Sequence, residues 1–194
     1  MQQENLSEQT NLQLIESMIN RAKNKFNENG TLYLLWGFVI LTCCMTQFIL
    51  LHFFHVQNAY YVWFLTLLTL IYQVIYLKNR QRKSKVKTYT ADILKYVWIS
   101  FVITIFMVNF ILQYYKAIIC INPMILVVYG IPTFLSGAII KFRPLIWGGI
   151  LCWALSIVAS FITYEYQFLL LSLAVIGAWI IPGYLLRQKS KNQD

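Results

Sequence analysis

Apolar residues form six continuous stretches along the chain, and short polar links separate them. Each stretch is 18 to 23 residues long and contains no Asp, Glu, Lys or Arg. Because a helix of about 20 apolar residues crosses a hydrocarbon core about 30 Å thick, each stretch is long enough to span a membrane. The six predicted spans are residues 32–54, 60–77, 96–115, 123–140, 144–163 and 168–186.

The same stretches predict helices rather than strands. Barrel strands would alternate apolar and polar residues over segments of about 10 residues, whereas these stretches are apolar throughout. Lipid offers no hydrogen-bond partner to an exposed backbone, and a helix satisfies its backbone groups internally. The sequence therefore predicts an all-α fold, a bundle of six transmembrane helices.

The composition excludes most classes of soluble protein. The 194 residues are 59% hydrophobic and 12% charged, whereas a soluble domain has about 25% charged residues. So few charges cannot cover the surface of a water-soluble globule. A soluble enzyme and a nucleic-acid-binding domain are thus excluded, and the lipid bilayer is the expected surrounding.

Basic residues predict the orientation of the spans. If the N-terminus lies inside, fifteen of the sixteen Lys and Arg residues lie on the cytoplasmic side, and Lys116 alone lies outside. Lys and Arg accumulate in cytoplasmic loops. We therefore predict that both termini are cytoplasmic and that the membrane is a bacterial inner (plasma) membrane.

An amphipathic helix is predicted before the first span. In residues 11–28 the apolar side chains recur at steps of three and four, which places them on one helix face. Its basic residues Arg21, Lys23 and Lys25 suit lipid headgroups. The apolar face can lie on the inner leaflet, pack on the cytoplasmic loops, or bind a helix of a cytoplasmic protein partner. The predicted organisation is a helical extension (1–30), a transmembrane domain (31–187) and a cytoplasmic tail (188–194).

The link between the second and third spans is strongly basic. Residues 78–87 contain six Lys or Arg, among them Arg80, Arg82, Lys83 and Lys85. A basic segment beside a membrane attracts anionic lipid. The segment lacks the interleaved aromatic residues of a nucleic-acid-binding surface, so we interpret it as a loop that faces lipid or a partner.

Small residues predict which helices pack closely, because lipid-embedded helices associate where backbones can approach. The candidate packing residues are Gly130 in the fourth span, Gly148, Cys152, Ser156 and Ser160 in the fifth, and Ala174 and Ala178 in the sixth. The first three spans are bulkier. We therefore expect spans four to six to form the tight core and the first three to surround it. Pro132 is expected to kink the fourth span, and Pro182 to bend or end the sixth.

Candidate chemistry is sparse. Ionisable side chains inside a membrane usually serve a function, and the predicted spans contain no Asp, Glu, Lys or Arg. Neither catalytic motifs nor a cofactor-binding pattern is recognisable, so we expect no enzyme activity and no cofactor. His52, His55 and Glu165 fall near the outer membrane surface and are residue types that ligate zinc or copper. The polar residues Gln47, Gln73, Asn109 and Gln113 suit hydrogen bonds between helices.

Four segments resemble small integral membrane proteins of Bacteroidota. They are LIESMINRAKNKF (14–26), YLLWGF (33–38), KFRPLIWGG (141–149) and IPGYLLR (181–187). The resemblance implies an inner-membrane protein and supplies no catalytic residues.

Three functional hypotheses follow. The first is a non-enzymatic regulatory or accessory subunit that contacts a cytoplasmic partner or lipid. The second is a small transporter or channel for a neutral or lipid-like substrate, favoured by the kinks expected at Pro132 and Pro182. The third is an extracytoplasmic metal sensor built on the two histidines. Assembly into a homo-oligomer is compatible with each of them.

Overall fold

The computed structural model describes residues 30–56, 58–83 and 89–191. Within these ranges the chain forms helices and short turns and contains no strand, which confirms the predicted all-α class. Five helices are long and apolar enough to cross a membrane, and a sixth apolar helix has 17 residues. The predicted amphipathic helix at 11–28 and Lys85 lie outside the described ranges.

Each predicted span overlaps a helix, and the bounds differ by up to seven residues. The helices are α1 (Thr31–His52), α2 (Phe64–Lys83), α3 (Tyr89–Tyr114), α4 (Ile121–Ile140), α5 (Arg143–Ala159), α6 (Tyr164–Val175) and α7 (Ile181–Lys191). Short 3-10 turns at Ala59–Trp63 and Ile118–Cys120 precede α2 and α4. A π-helical turn at Ile176–Ile180 joins α6 to α7. The three segments form one continuous helix, called the last helix below.

The sequence predicts that Pro182 either bends or ends the last helix, and the helix does not end there. The helix continues past Pro182 to Lys191. The π-helical turn ends at Ile180, two positions before this proline, and such a turn re-spaces the backbone where a regular hydrogen bond is missing. Pro132 likewise lies inside the continuous α4, where it is buried.

Helices α4 and α5 pack along their full length in opposite directions. Near one end, a Cβ on Gly137 would lie 2.7 Å from the backbone nitrogen of Ile146. At the other end, the Ser156 hydroxyl donates a hydrogen bond of 2.8 Å to the carbonyl oxygen of Pro123. The 17-residue α5 therefore lies alongside most of the 20-residue α4.

The first helix also belongs to the core, contrary to the prediction that the first three spans surround it. Helix α1 runs antiparallel to the last helix, with Gly30 against Gly183 at one end and Phe48 against Tyr166 at the other. Seven residues of α1 are buried. Gly37 permits this packing, since a Cβ there would lie 2.7 Å from a side-chain atom of Ile180.

Helices α2 and α3 are peripheral, as predicted for two of the first three spans. Among the side chains of these two helices that the structure describes, almost none is buried inside the bundle. Helix α2 rests on α1 and α3 rests on α4, and the two do not pack along each other within the described residues. Their outward faces are apolar, which suits contact with lipid.

The bundle has two chemically distinct ends. At the end called here the basic end, the starts of α1 and α5 lie beside the last turns of α7, near Gly30, Lys141 and Gly183. The opposite end, called the distal end, carries His52, Lys116 and Glu165. Because Gly30 contacts Gly183, both described termini of the bundle lie at the basic end.

Candidate functional site

Two of the three predicted metal ligands meet at the distal end. His52 ends α1 and Glu165 lies in the first turn of α6, and the antiparallel packing places His52 Nδ1 3.4 Å from Glu165 Oε2. The imidazole stacks on Phe48 and touches the ring of Tyr166. Both partners are partly exposed, at 38% and 43% of their side-chain surface. This pair ties the ends of two helices together.

The third predicted ligand, His55, does not complete a metal site. It lies beyond the end of α1 in a left-handed conformation (φ 50°) and is exposed. In the described part of the chain, no three His, Cys, Asp or Glu side chains are close enough to share a metal ion. Structural zinc needs four ligands and catalytic zinc three, so His52 and Glu165 alone do not make such a centre.

The most extensively hydrogen-bonded side chain of the described residues is Gln167, which is fully buried. Its Nε2 donates to the carbonyl oxygens of Ile119 (3.1 Å), Ala159 (3.2 Å) and Ile162 (3.1 Å). Its Oε1 accepts a bond of 3.2 Å from Nδ2 of buried Asn122. One amide therefore joins the ends of α4, α5 and α6. The sequence reasoning missed both residues because it placed them in the outer links.

An aromatic cluster fills the bundle between α1, α3, α4 and the last helix. Its rings are Tyr33, Trp98, Phe101, Tyr129 and Trp179. Tyr129 and Trp179 are stacked, with ring centroids 4.9 Å apart. The indole nitrogen of Trp179 donates a 3.0 Å bond to the hydroxyl of buried Thr133. Contacts between these rings occupy the space between the four helices.

The predicted polar contacts between helices are found at two of four positions. Gln47 accepts a hydrogen bond from Trp63, and Gln73 accepts one of 2.6 Å from Trp36. Asn109 instead bonds the Ile105 carbonyl of its own helix, and Gln113 is exposed.

The predicted packing residues are mostly buried. Those buried within the bundle are Gly130, Gly148, Cys152, Ser156, Ala174 and Ala178. Ser160, in contrast, is exposed at the end of α5, where its hydroxyl donates to the Ser156 carbonyl. The closest helix approach among them is between α5 and the last helix, because a Cβ on Gly148 would lie 2.6 Å from the Cα of Ala178.

Every basic side chain whose exposure the structure describes is exposed. Arg80, Arg82 and Lys83 fall in the last turns of α2. The exposed cations at or near the basic end are Lys78, Lys95, Lys141, Arg143, Arg187 and Lys189. Lys116, also exposed, is at the distal end. The bundle is therefore electrostatically asymmetric along its axis.

An apolar groove of about 510 Å³ runs along the outer surface between α5 and the last helix. Its lining includes Pro144, Trp147, Gly148, Leu151, Gly177 and Pro182. The transporter hypothesis drew on the prolines at 132 and 182; this groove is apolar, and of these two residues only Pro182 lines it. The groove is also the place where the π-helical turn meets the surface.

Comparison with known proteins gives no relative: no family model, no curated protein and no solved structure matches this chain. Its function has to be inferred from its own residues. By length and composition its helices are those of a multi-pass integral membrane protein.

Proposed function

We propose that the protein is a non-enzymatic, six-span protein of a bacterial inner membrane that acts as a regulatory or accessory subunit. In this proposal, both termini are cytoplasmic, and the basic end contacts a cytoplasmic partner or anionic lipid through residues 11–28 and the basic link 78–87.

The observation that carries the proposal is that several buried polar side chains form hydrogen bonds inside the bundle. Gln167, Asn122, Thr133 and Trp179 bond to one another or to nearby carbonyls inside the bundle. Buried polar groups that are satisfied in this way stabilise packing and specify one arrangement of helices. These side chains are therefore used to hold the helices together, which favours a scaffold protein over an enzyme or a protein with a polar transport path.

The depth of α5 supports six crossings rather than five. Its 17 residues extend about 25 Å at 1.5 Å per residue, slightly less than a hydrocarbon core of about 30 Å. The helix nevertheless pairs with α4 from Gly137 to Pro123. If α4 crosses the membrane, α5 returns across it.

The distribution of cations supports the orientation. The exposed Lys141, Arg143, Arg187 and Lys189 lie at the basic end, and the distal end has Lys116. Because Lys and Arg are enriched on the cytoplasmic side, the basic end is assigned to the cytoplasm.

Thiol labelling tests the orientation. Cys120 is exposed at the distal end, whereas Cys43, Cys44 and Cys152 are buried. A membrane-impermeant maleimide should label Cys120 in intact spheroplasts. In a C120S background, R187C should be labelled only after lysis. Labelling of both positions before lysis would contradict the proposed topology.

Co-purification tests the accessory role. The full-length protein is compared with a triple variant, R21Q/K23Q/K25Q, after crosslinking in native membranes and extraction in detergent. The proposal expects a protein or anionic lipid that the triple variant no longer retains, while the matched variant K116Q at the distal end retains it. Equal retention by all three proteins would refute this role for the N-terminal segment.

A further inference from the structure

We propose that the groove between α5 and the last helix is a specific site for one anionic phospholipid. One acyl chain lies against the apolar lining, and the phosphate group is held by Arg143 and Lys189. This goes beyond the accessory role, because it assigns a ligand to a surface formed wholly by the bundle.

The groove exists because small residues and a π-helical turn coincide. Gly148 and Gly177 bring no side chains to its floor, and Ala154 on α5 also lines it. The π-helical turn at Ile176–Ile180 widens the backbone of the last helix beside them. The resulting volume of about 510 Å³ falls within the range of about 300–1,000 Å³ that is usual for ligand sites.

The length of the groove matches one lipid leaflet. Its lining on α5 extends from Pro144 to Ala154, which is about 15 Å at 1.5 Å per residue. One leaflet contributes about half of a hydrocarbon core about 30 Å thick. Trp147, 68% exposed, lies at the end nearer the charged residues, where tryptophan commonly meets the headgroup region.

Helix periodicity places a cation at the same end of each groove wall. Arg143, Trp147 and Leu151 are spaced by four residues and so share a face of α5. Ile181, Leu185 and Lys189 share a face of α7 in the same way. Arg143 and Lys189 are both exposed. Arg143 adjoins the lining residue Pro144, and Lys189 lies about two turns beyond Ile181, so both lie on the headgroup side of the apolar lining.

The charge around this end is complementary to a phosphodiester. From residue 141 to residue 191 the sequence contains one acidic residue, Glu165, and this lies at the distal end. The first turn of α5 has no acidic side chain, and its backbone N–H groups add partial positive charge. A lipid with net negative charge should therefore bind better than a zwitterionic lipid of the same chain composition.

Native mass spectrometry of the full-length protein in detergent tests the proposal. The probes are dioleoylphosphatidylglycerol and dioleoylphosphatidylcholine at equal concentration. The expected result is one retained phosphatidylglycerol, bound about 10-fold or more in preference to phosphatidylcholine. The double variant R143Q/K189Q should lose most of this preference, since each cation near a lipid surface contributes a factor of about five. K116Q, a cation change at the distal end, should retain it.

The apolar part of the site is tested by filling the groove from its exposed side. Ala154→Phe places a ring over the lining, and Ala138→Phe makes the same change at an exposed position of α4. The A154F variant should retain several-fold less phosphatidylglycerol than A138F, with the same unfolding midpoint. Equal retention of the two lipids by the wild type, an unchanged preference in R143Q/K189Q, or equal retention by A154F and A138F would each overturn the proposal.

Discussion

Replacing Gln167 with Leu should be the most informative single change in the bundle. Leu has a side-chain volume similar to that of Gln, and it removes every hydrogen bond of the buried amide. Asn122 Nδ2 then loses its acceptor, and carbonyl groups at the ends of α4 and α5 lose their donor. We expect Q167L to loosen the distal end of the bundle.

The expected magnitude follows from the bonds that are lost. A Gln side-chain amide has two N–H donors, and its oxygen accepts the bond from Asn122. Removing three hydrogen bonds at about 0.6–1.5 kcal/mol each gives a loss of about 2–4.5 kcal/mol in the free energy of unfolding. Reversible unfolding in mixed micelles, induced by SDS and followed by tryptophan fluorescence, measures this difference.

The matched control is Gln113→Leu, the same change at an exposed position of α3 near the distal end. It should change the free energy of unfolding by less than about 0.5 kcal/mol. In the double variant N122L/Q167L both buried amides are gone, so the loss should be smaller than the sum of the single losses by about 1–2 kcal/mol. If Q167L unfolds at the same SDS fraction as Q113L, the hydrogen-bonded role of Gln167 is refuted.

Three further predictions use the same unfolding assay. Gly148→Leu should lower the free energy of unfolding by about 1–3 kcal/mol, because its Cβ would lie 2.6 Å from a backbone atom of the last helix; an unchanged midpoint would argue against this close approach. A double-mutant cycle with His52→Ala and Glu165→Ala should give a coupling energy of at most about 1 kcal/mol, since both side chains are partly exposed, and a larger coupling would mean that the pair is drier than its exposure indicates. Lys116→Gly should stabilise the protein by about 1 kcal/mol, because Lys116 adopts a left-handed conformation (φ 53°) that glycine enters without strain; a loss of stability would show that the lysine side chain outweighs its backbone strain.

The helices were predictable from sequence because hydropathy is a local property. The stretch 123–140 is strongly apolar and contains no charged residue, and the structure has a helix at Ile121–Ile140. The predicted ends of the spans agree less well with the observed ends of the helices. The reason is that helices extend into polar links wherever the backbone geometry and hydrogen-bond partners permit. The last helix is the clearest case, because it starts at Tyr164 and reaches Lys191 instead of covering 168–186.

The buried amide side chains could not be predicted from hydropathy. Asn122 and Gln167 stand at the ends of apolar stretches, so a hydropathy profile assigns them to exposed links. Their burial depends on each other and on carbonyls of other helices. Such partners are distant in sequence, and one chain without tertiary information gives no signal for them.

The positions of small residues correctly predicted where two helices approach closely, but they did not predict that α1 belongs to the core. Gly148 and Ala178 do meet, as their sizes indicated. Helix α1, however, is rich in large side chains and still packs in the core through Gly37 and the buried Cys43 and Cys44. One narrow face of small residues is sufficient for packing, and an average over the whole helix conceals it.

The π-helical turn connects the interior of the bundle with its outer groove. An i→i+5 turn accommodates an extra residue and so shifts the faces of the helix that follows. Trp179 in this turn is directed inward to Thr133 and Tyr129, while Gly177 lines the groove outside. The two residues are two positions apart and therefore face nearly opposite sides of the helix. One local irregularity therefore serves both the aromatic packing and the proposed lipid site, and it leaves no trace in the hydropathy pattern that predicts the helix.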